Sequence, residues 1–150
     1  MKIYKLILLL LFPICVMGQA KHYPYVELNG GIAINWEKKL GSTSSALIGT
    51  TVDMGDYSLI DFQVGLSTHS AFTAKVGLGS YFGKKENISL LAGCRIYPLM
   101  FYSQLNFGKR ESIQFIMCGE IGGGGPKSLD LRSMFNVGIR YPIKFKPKQR

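Results

Sequence analysis

Cysteine and histidine are nearly missing from this chain, with three of the one and two of the other. Cys15 falls in an N-terminal leader, which leaves Cys94 and Cys118 with the distant His22 and His69. Metal sites need closely spaced ligands, so no metal site is expected. The two cysteines point to opposite faces of their segments, which argues against a disulfide between them. Both read as small buried hydrophobes. Long apolar runs are also scarce. The run Ile7–Val16 is too short for a membrane-spanning helix, which needs about 20 residues. Helical periodicity, solenoid repeats and linkers are absent as well, which excludes bundles, repeat arrays and multidomain architectures.

The leader has the form of a cleaved signal peptide over residues 1–18. Lys2 and Lys5 give a basic start, the apolar run follows, and Gly18 offers a small residue before Gln19. Phe12, Pro13 and Ile14 are the wrong residues ahead of a lipidated Cys15. Residues 19–150 then make one domain. The formal charge is +9, of which the leader lysines supply two. Outside the leader the bases concentrate in turns (Lys84-Lys85, Lys109-Arg110) and in the tail (Lys144, Lys146, Lys148, Arg150). They are not interleaved with aromatics on one strand face, so they read as solvated turns at a membrane surface and no nucleic-acid partner is expected.

What the chain does have is strict alternation. From Val26 the even positions read Val26, Leu28, Gly30, Ile32, Ile34, Trp36, and the odd ones Glu27, Asn29, Gly31, Ala33, Asn35. Successive strand side chains point to opposite faces, so each such segment is a ribbon with one apolar face. Further segments run Ala46–Met54, Ile60–Leu66, Phe72–Phe82, Ile88–Ile96, Leu99–Phe107, Ile113–Ile121 and Phe135–Phe145, the phase moving to odd positions from Leu99. Leu47, Leu91 and Ile116 interrupt the polar face. Tight polar turns are expected near Gly55-Asp56, Gly83–Asn87 and Gly108–Ser112, with longer loops at Lys38–Ser45 and Gly122–Arg132 on the other side.

Alternation alone does not separate a membrane barrel from a soluble one with its apolar face inside. Glycines crowd the polar face (Gly31, Gly49, Gly65, Gly77, Gly79, Gly93, Gly138), which suits a narrow lumen. Bulky rings gather toward segment ends, where interfacial girdles belong. The expected fold is therefore all-β, an eight-stranded antiparallel up-and-down transmembrane β-barrel. Its mid-strand charges, Glu27, Asp61 and Glu120 against Lys75, Arg95 and Arg140, form a neutral lumen network. Closure brings Glu27 next to Arg140, and Glu120 is the acid nearest to Lys75 and Arg95. Unpaired charges there would cost several kcal/mol each. Serine at Gly77 should then be far cheaper than arginine at Val76 or Leu90 on the lipid side.

Catalysis finds little support. His69-Ser70 is an adjacent His/Ser pair with Glu120 as a conceivable acid, yet neighbouring strand residues point apart. Gly122–Ser128 has Pro126 where a phosphate loop needs glycine before Lys127. No catalytic residue and no cofactor is assigned.

The mature chain resembles the small eight-stranded outer-membrane β-barrel proteins of Gram-negative bacteria, of a Bacteroidota-like kind. The resemblance rests on the leader, the alternating segments, the short turns and the ending from Phe135 to Phe145. In that ending Gly138, Tyr141 and Phe145 match the last-strand assembly signal. A second, weaker resemblance, carried by Gly83–Gly93, is to the TraO family of conjugative-transfer barrel subunits. The resemblance implies export to the bacterial outer membrane, contact with its lipid and with the barrel assembly machinery, and a protein partner at the outer loops. The expected function is non-enzymatic: a structural, adhesive or assembly role, with a component of a conjugation or secretion apparatus as one form of it. A narrow pore for small solutes and a lipid-modifying enzyme are the alternatives.

Overall fold

Eight strands close on themselves in the computed structural model, which describes residues 20–55, 57–82, 86–124 and 131–144. They are β1 (His22–Asn35), β2 (Leu40–Gly55), β3 (Ser58–Ser67), β4 (Ser70–Phe82), β5 (Ile88–Arg95), β6 (Leu99–Phe107), β7 (Gln114–Gly124) and β8 (Leu131–Pro142). Each pairs antiparallel with its sequence neighbours, and β8 returns to β1 along a register from Tyr25↔Pro142 to Asn35↔Leu131. The all-β, up-and-down, eight-stranded barrel is therefore the fold. Closure matters energetically, because it leaves no row of unpaired backbone donors and acceptors.

The period of two decides the inside and the outside. Leu28, Phe62, Val76, Leu90, Phe115 and Ile139 all stand outward and exposed, while Glu27, Lys75, Arg95 and Arg140 are buried in the lumen. Leu47, Leu91 and Ile116 are fully buried. Far from being flaws in the pattern, Leu91 and Ile116 pack with Leu59, Tyr81, Tyr102 and Cys118 into an apolar wedge inside the barrel. Cys118 is buried there, but Cys94 faces outward and is only half-buried, which corrects the reading of both as buried hydrophobes. Its register partners Val76 and Phe101 are exposed neighbours on the outer wall.

Several boundaries move. Residues 40–45, expected in a long loop, are strand: β2 begins at Leu40, which pairs with Ile34. Small polar residues from Gly41 to Ser45 carry almost no hydropathy contrast, so their alternation is invisible in sequence although Thr43 points inward and is buried. A tight turn remains, with Lys38 N–H donating to Asn35 O at 3.0 Å and Lys39 N–H to Asn35 Oδ1 at 2.7 Å. Among the described connections the expected contrast of short and long rims is thus not found. One rim, where β1 begins and β8 ends, has connections 56–57, 83–87 and 108–113; the opposite rim has 36–39, 68–69 and 96–98. Strand β7 runs on to Gly124, and the rest of its glycine-rich connection, 125–130, lies outside the described residues. Residues 1–19, with the leader, and Phe145 of the proposed assembly signal also lie outside them.

Packing around the lumen is tight enough to demand glycine. Gly77 and Gly93 are register partners on β4 and β5. A Cβ at Gly93 would stand 2.0 Å from Val76 O, and one at Gly77 would meet Tyr102 Oη at 2.2 Å. The expectation that serine is cheap at Gly77 is therefore corrected: the lumen has no room for it without moving Tyr102.

Candidate functional site

Among the described residues, charge, full burial and convergence coincide in the lumen, and the strand register builds it. Glu27 and Arg140 are directly opposed on β1 and β8, while Lys75 and Arg95 are opposed on β4 and β5. Asp61 and Thr51 are opposed on β3 and β2, and Glu120 faces Tyr102 on β7 and β6. All six charged residues anticipated from the alternation are buried to within 4 % exposure. They fall into two groups.

In the first, Arg140 serves two carboxylates. Its Nε and Nη2 donate to Glu27 Oε2 at 3.0 and 2.8 Å, and its Nη1 donates to Asp61 Oδ1 at 3.2 Å. The Tyr25 ring lies 3.7 Å below the guanidinium, and its hydroxyl donates to Asp61 Oδ2 at 2.7 Å. Thr51 and Gln63 each donate to Asp61 at 2.7 Å, and Asn29 donates to Glu27 at 2.7 Å. Such charge-assisted bonds to a planar fork give Arg140 one geometry.

In the second group one carboxylate serves two cations. Lys75 Nζ and Arg95 Nη2 each donate to Glu120 Oε1 at 2.7 Å. Arg95 Nε lies 2.6 Å from Glu120 Oε2, an ion pair not aligned as a hydrogen bond. Thr73 accepts from Arg95 at 3.4 Å, and Cys118 Sγ sits 3.8 Å from Lys75 Nζ. Sequence gave no sign that Asp61 would join Arg140, nor that Asn29, Gln63 and Gln104 would aim amide groups at Glu27, since cross-lumen contacts depend on register and tilt.

Toward the opposite rim Ala33, Met100 and Met134 form a small apolar cluster. At the rim where β1 begins and β8 ends, a cavity of about 500 Å³ lies beside Asp53, Glu86 and Arg110, and one of about 10 Å³ lies beside Tyr25, Tyr81, Arg110 and Arg140. The smaller has room for about one water.

The catalytic arrangement weighed in sequence is not assembled. Ser70 Oγ donates to Tyr97 O at 3.4 Å, and Glu120 is committed to Lys75 and Arg95. His69 lies in the β3–β4 turn, where partial burial lowers its pKa and favours the neutral ring. Among the described residues no group of three His, Cys, Asp or Glu side chains is placed to hold a metal ion.

No protein-family model and no curated protein matches the chain. One solved structure, described as "De novo design of transmembrane beta-barrels", is similar at 13% identity and a TM-score of 0.48, over 79% of this chain and 95% of that one.

Proposed function

We propose that this protein is an integral outer-membrane barrel, exported through its leader, whose wall sits in lipid and whose role is structural or in assembly rather than enzymatic. The carrying observation is the outer wall. Every strand presents large apolar side chains outward, among them Leu28, Ile48, Leu66, Leu78, Leu90, Phe101, Ile121 and Ile139. Monomeric soluble proteins rarely expose contiguous apolar patches beyond a few hundred Å², whereas lipid requires one. The strands, 8–16 residues long, bracket the ~9–11 needed to cross a bilayer at a tilt. Outward rings fall toward both rims, with Phe82, Phe107, Phe115 and Tyr141 at one and Trp36, Phe72 and Phe101 at the other. The paired, buried lumen favours a plugged barrel over a pore. The short described turns favour contact through the wall over adhesion by long loops. A place in a conjugation or secretion apparatus would be one form of the assembly role.

Fractionation tests this directly. The protein should stay with membranes in carbonate, migrate heat-modifiably on a gel and give negligible single-channel conductance in planar bilayers. Recovery as a soluble monomer would overturn the membrane reading, and a steady ion current would overturn the plug.

A further inference from the structure

Arg110 reaches across the mouth at the rim where β1 begins and β8 ends, and the company it keeps is that of a bound ligand. Its guanidinium pairs with Asp53, near the end of β2, and with Glu86, just before β5. The Tyr81 ring lies 4.0 Å from it and the Tyr23 ring 5.5 Å. Two carboxylates on separate elements with two aromatic faces are what recognises a planar cation: the acids match the fork and the rings stack on its face.

Arg110 differs from Arg140 in how it is held. Arg140 belongs to a strand and is paired in the ladder on both sides. Arg110 belongs to the turn 108–113, whose internal bonds, such as Ser112 N–H to Lys109 O at 3.0 Å, do not involve its side chain. Lifting it breaks two ion pairs and the stacking but no ladder bond. Asp53 and Glu86 are 23% and 41% exposed, so water can solvate them once it leaves.

We infer that Tyr23, Tyr81, Asp53 and Glu86 form a binding site for a guanidinium group, which Arg110 fills from within the chain as a removable cap. The ligand class that would take its place is an arginine side chain presented by a partner. The inference rests on the rim geometry and stands whether or not the wall lies in lipid.

Full-length mature protein carrying Arg110→Ala, refolded in detergent micelles, tests it, with methylguanidinium as probe and ¹³C-labelled tyrosine rings as reporters. Saturable shifts should appear, at least about tenfold stronger in affinity than for the wild type, whose own cap competes. They should weaken when Asp53→Asn is added, and methylammonium, which lacks the fork, should bind less well. Arg110→Lys keeps the charge and loses the fork, so it should bind the probe with intermediate affinity. Absence of saturable shifts in folded Arg110→Ala would overturn the inference, as would equal binding by the wild type or by methylammonium. If Arg110→Ala does not fold, the same result in Arg110→Lys decides the matter. Failure of both variants to fold would make Arg110 a requirement of the fold and not a cap.

Discussion

The two ionic groups in the lumen are opposites in charge, and they are not equally supported. Around Arg140 stand two acids and one base; around Glu120, two bases and one acid. The spare negative charge of the first is met by hydroxyl and amide donors from Tyr25, Thr51, Gln63, Asn29 and Gln104. The spare positive charge of the second finds a threonine hydroxyl at 3.4 Å, a thiol at 3.8 Å and the face of Tyr102 at 5.1 Å. Neutral donors crowd the first group, while close neutral acceptors are few around Lys75 and Arg95. Each group therefore hangs on its minority charge, and the second hangs on it more heavily.

The largest effect should come from Glu120→Gln, which leaves two buried cations facing each other. A loss of about 3–5 kcal/mol is expected for breaking a buried network in this way, read by urea unfolding from lipid vesicles. A loss no greater than that of Lys75→Met, which leaves Arg95 and Glu120 balanced, would break the comparison. Val76→Arg sharpens it, because Val76 adjoins Lys75 but faces outward. With no carboxylate in reach on the wall it should cost about 2–4 kcal/mol near the bilayer midplane, in the same unfolding assay. Asp61→Asn leaves Arg140 paired with Glu27, removes the surplus charge and turns one of two accepting oxygens into an amide donor that faces other donors. Its cost should be about 1–3 kcal/mol, below that of Glu120→Gln, and parity between the two would show that minority charge is not what matters. The smallest effect belongs to Gly119→Ala, where an added methyl meets nothing within 4 Å on the outer face. Stability should change by less than about 0.5 kcal/mol, and a larger change would mean that the outer wall is packed against something.

Strand number, facing and closure were legible in the sequence because one repeated quantity, side-chain direction every two residues, controls all three. The proximity of Glu27 to Arg140 followed from closure alone. The remainder was hidden for separate reasons. Residues 41–45 are small and polar on both faces, so strand and loop look alike there. Asp61 reaches Arg140 across the lumen at a sequence distance of 79, which no local pattern encodes. The amide groups of Gln63 and Gln104 read as generic polar-face residues until register brought them to Glu27. Arg110 was counted among solvated turn bases, since its fold-back onto Tyr81 depends on the turn's path and not on its composition.

The seam between β1 and β8 joins the first strand of the barrel to the last. Glu27 meets Arg140 across 113 residues. A nascent or truncated polypeptide ending before β8 would present both an open edge and an unneutralised acid on its first strand. The ionic clasp thus acts as a completeness check. Only a chain that includes β8 can bury Glu27 beside Arg140, so products ending before that strand should fail to close.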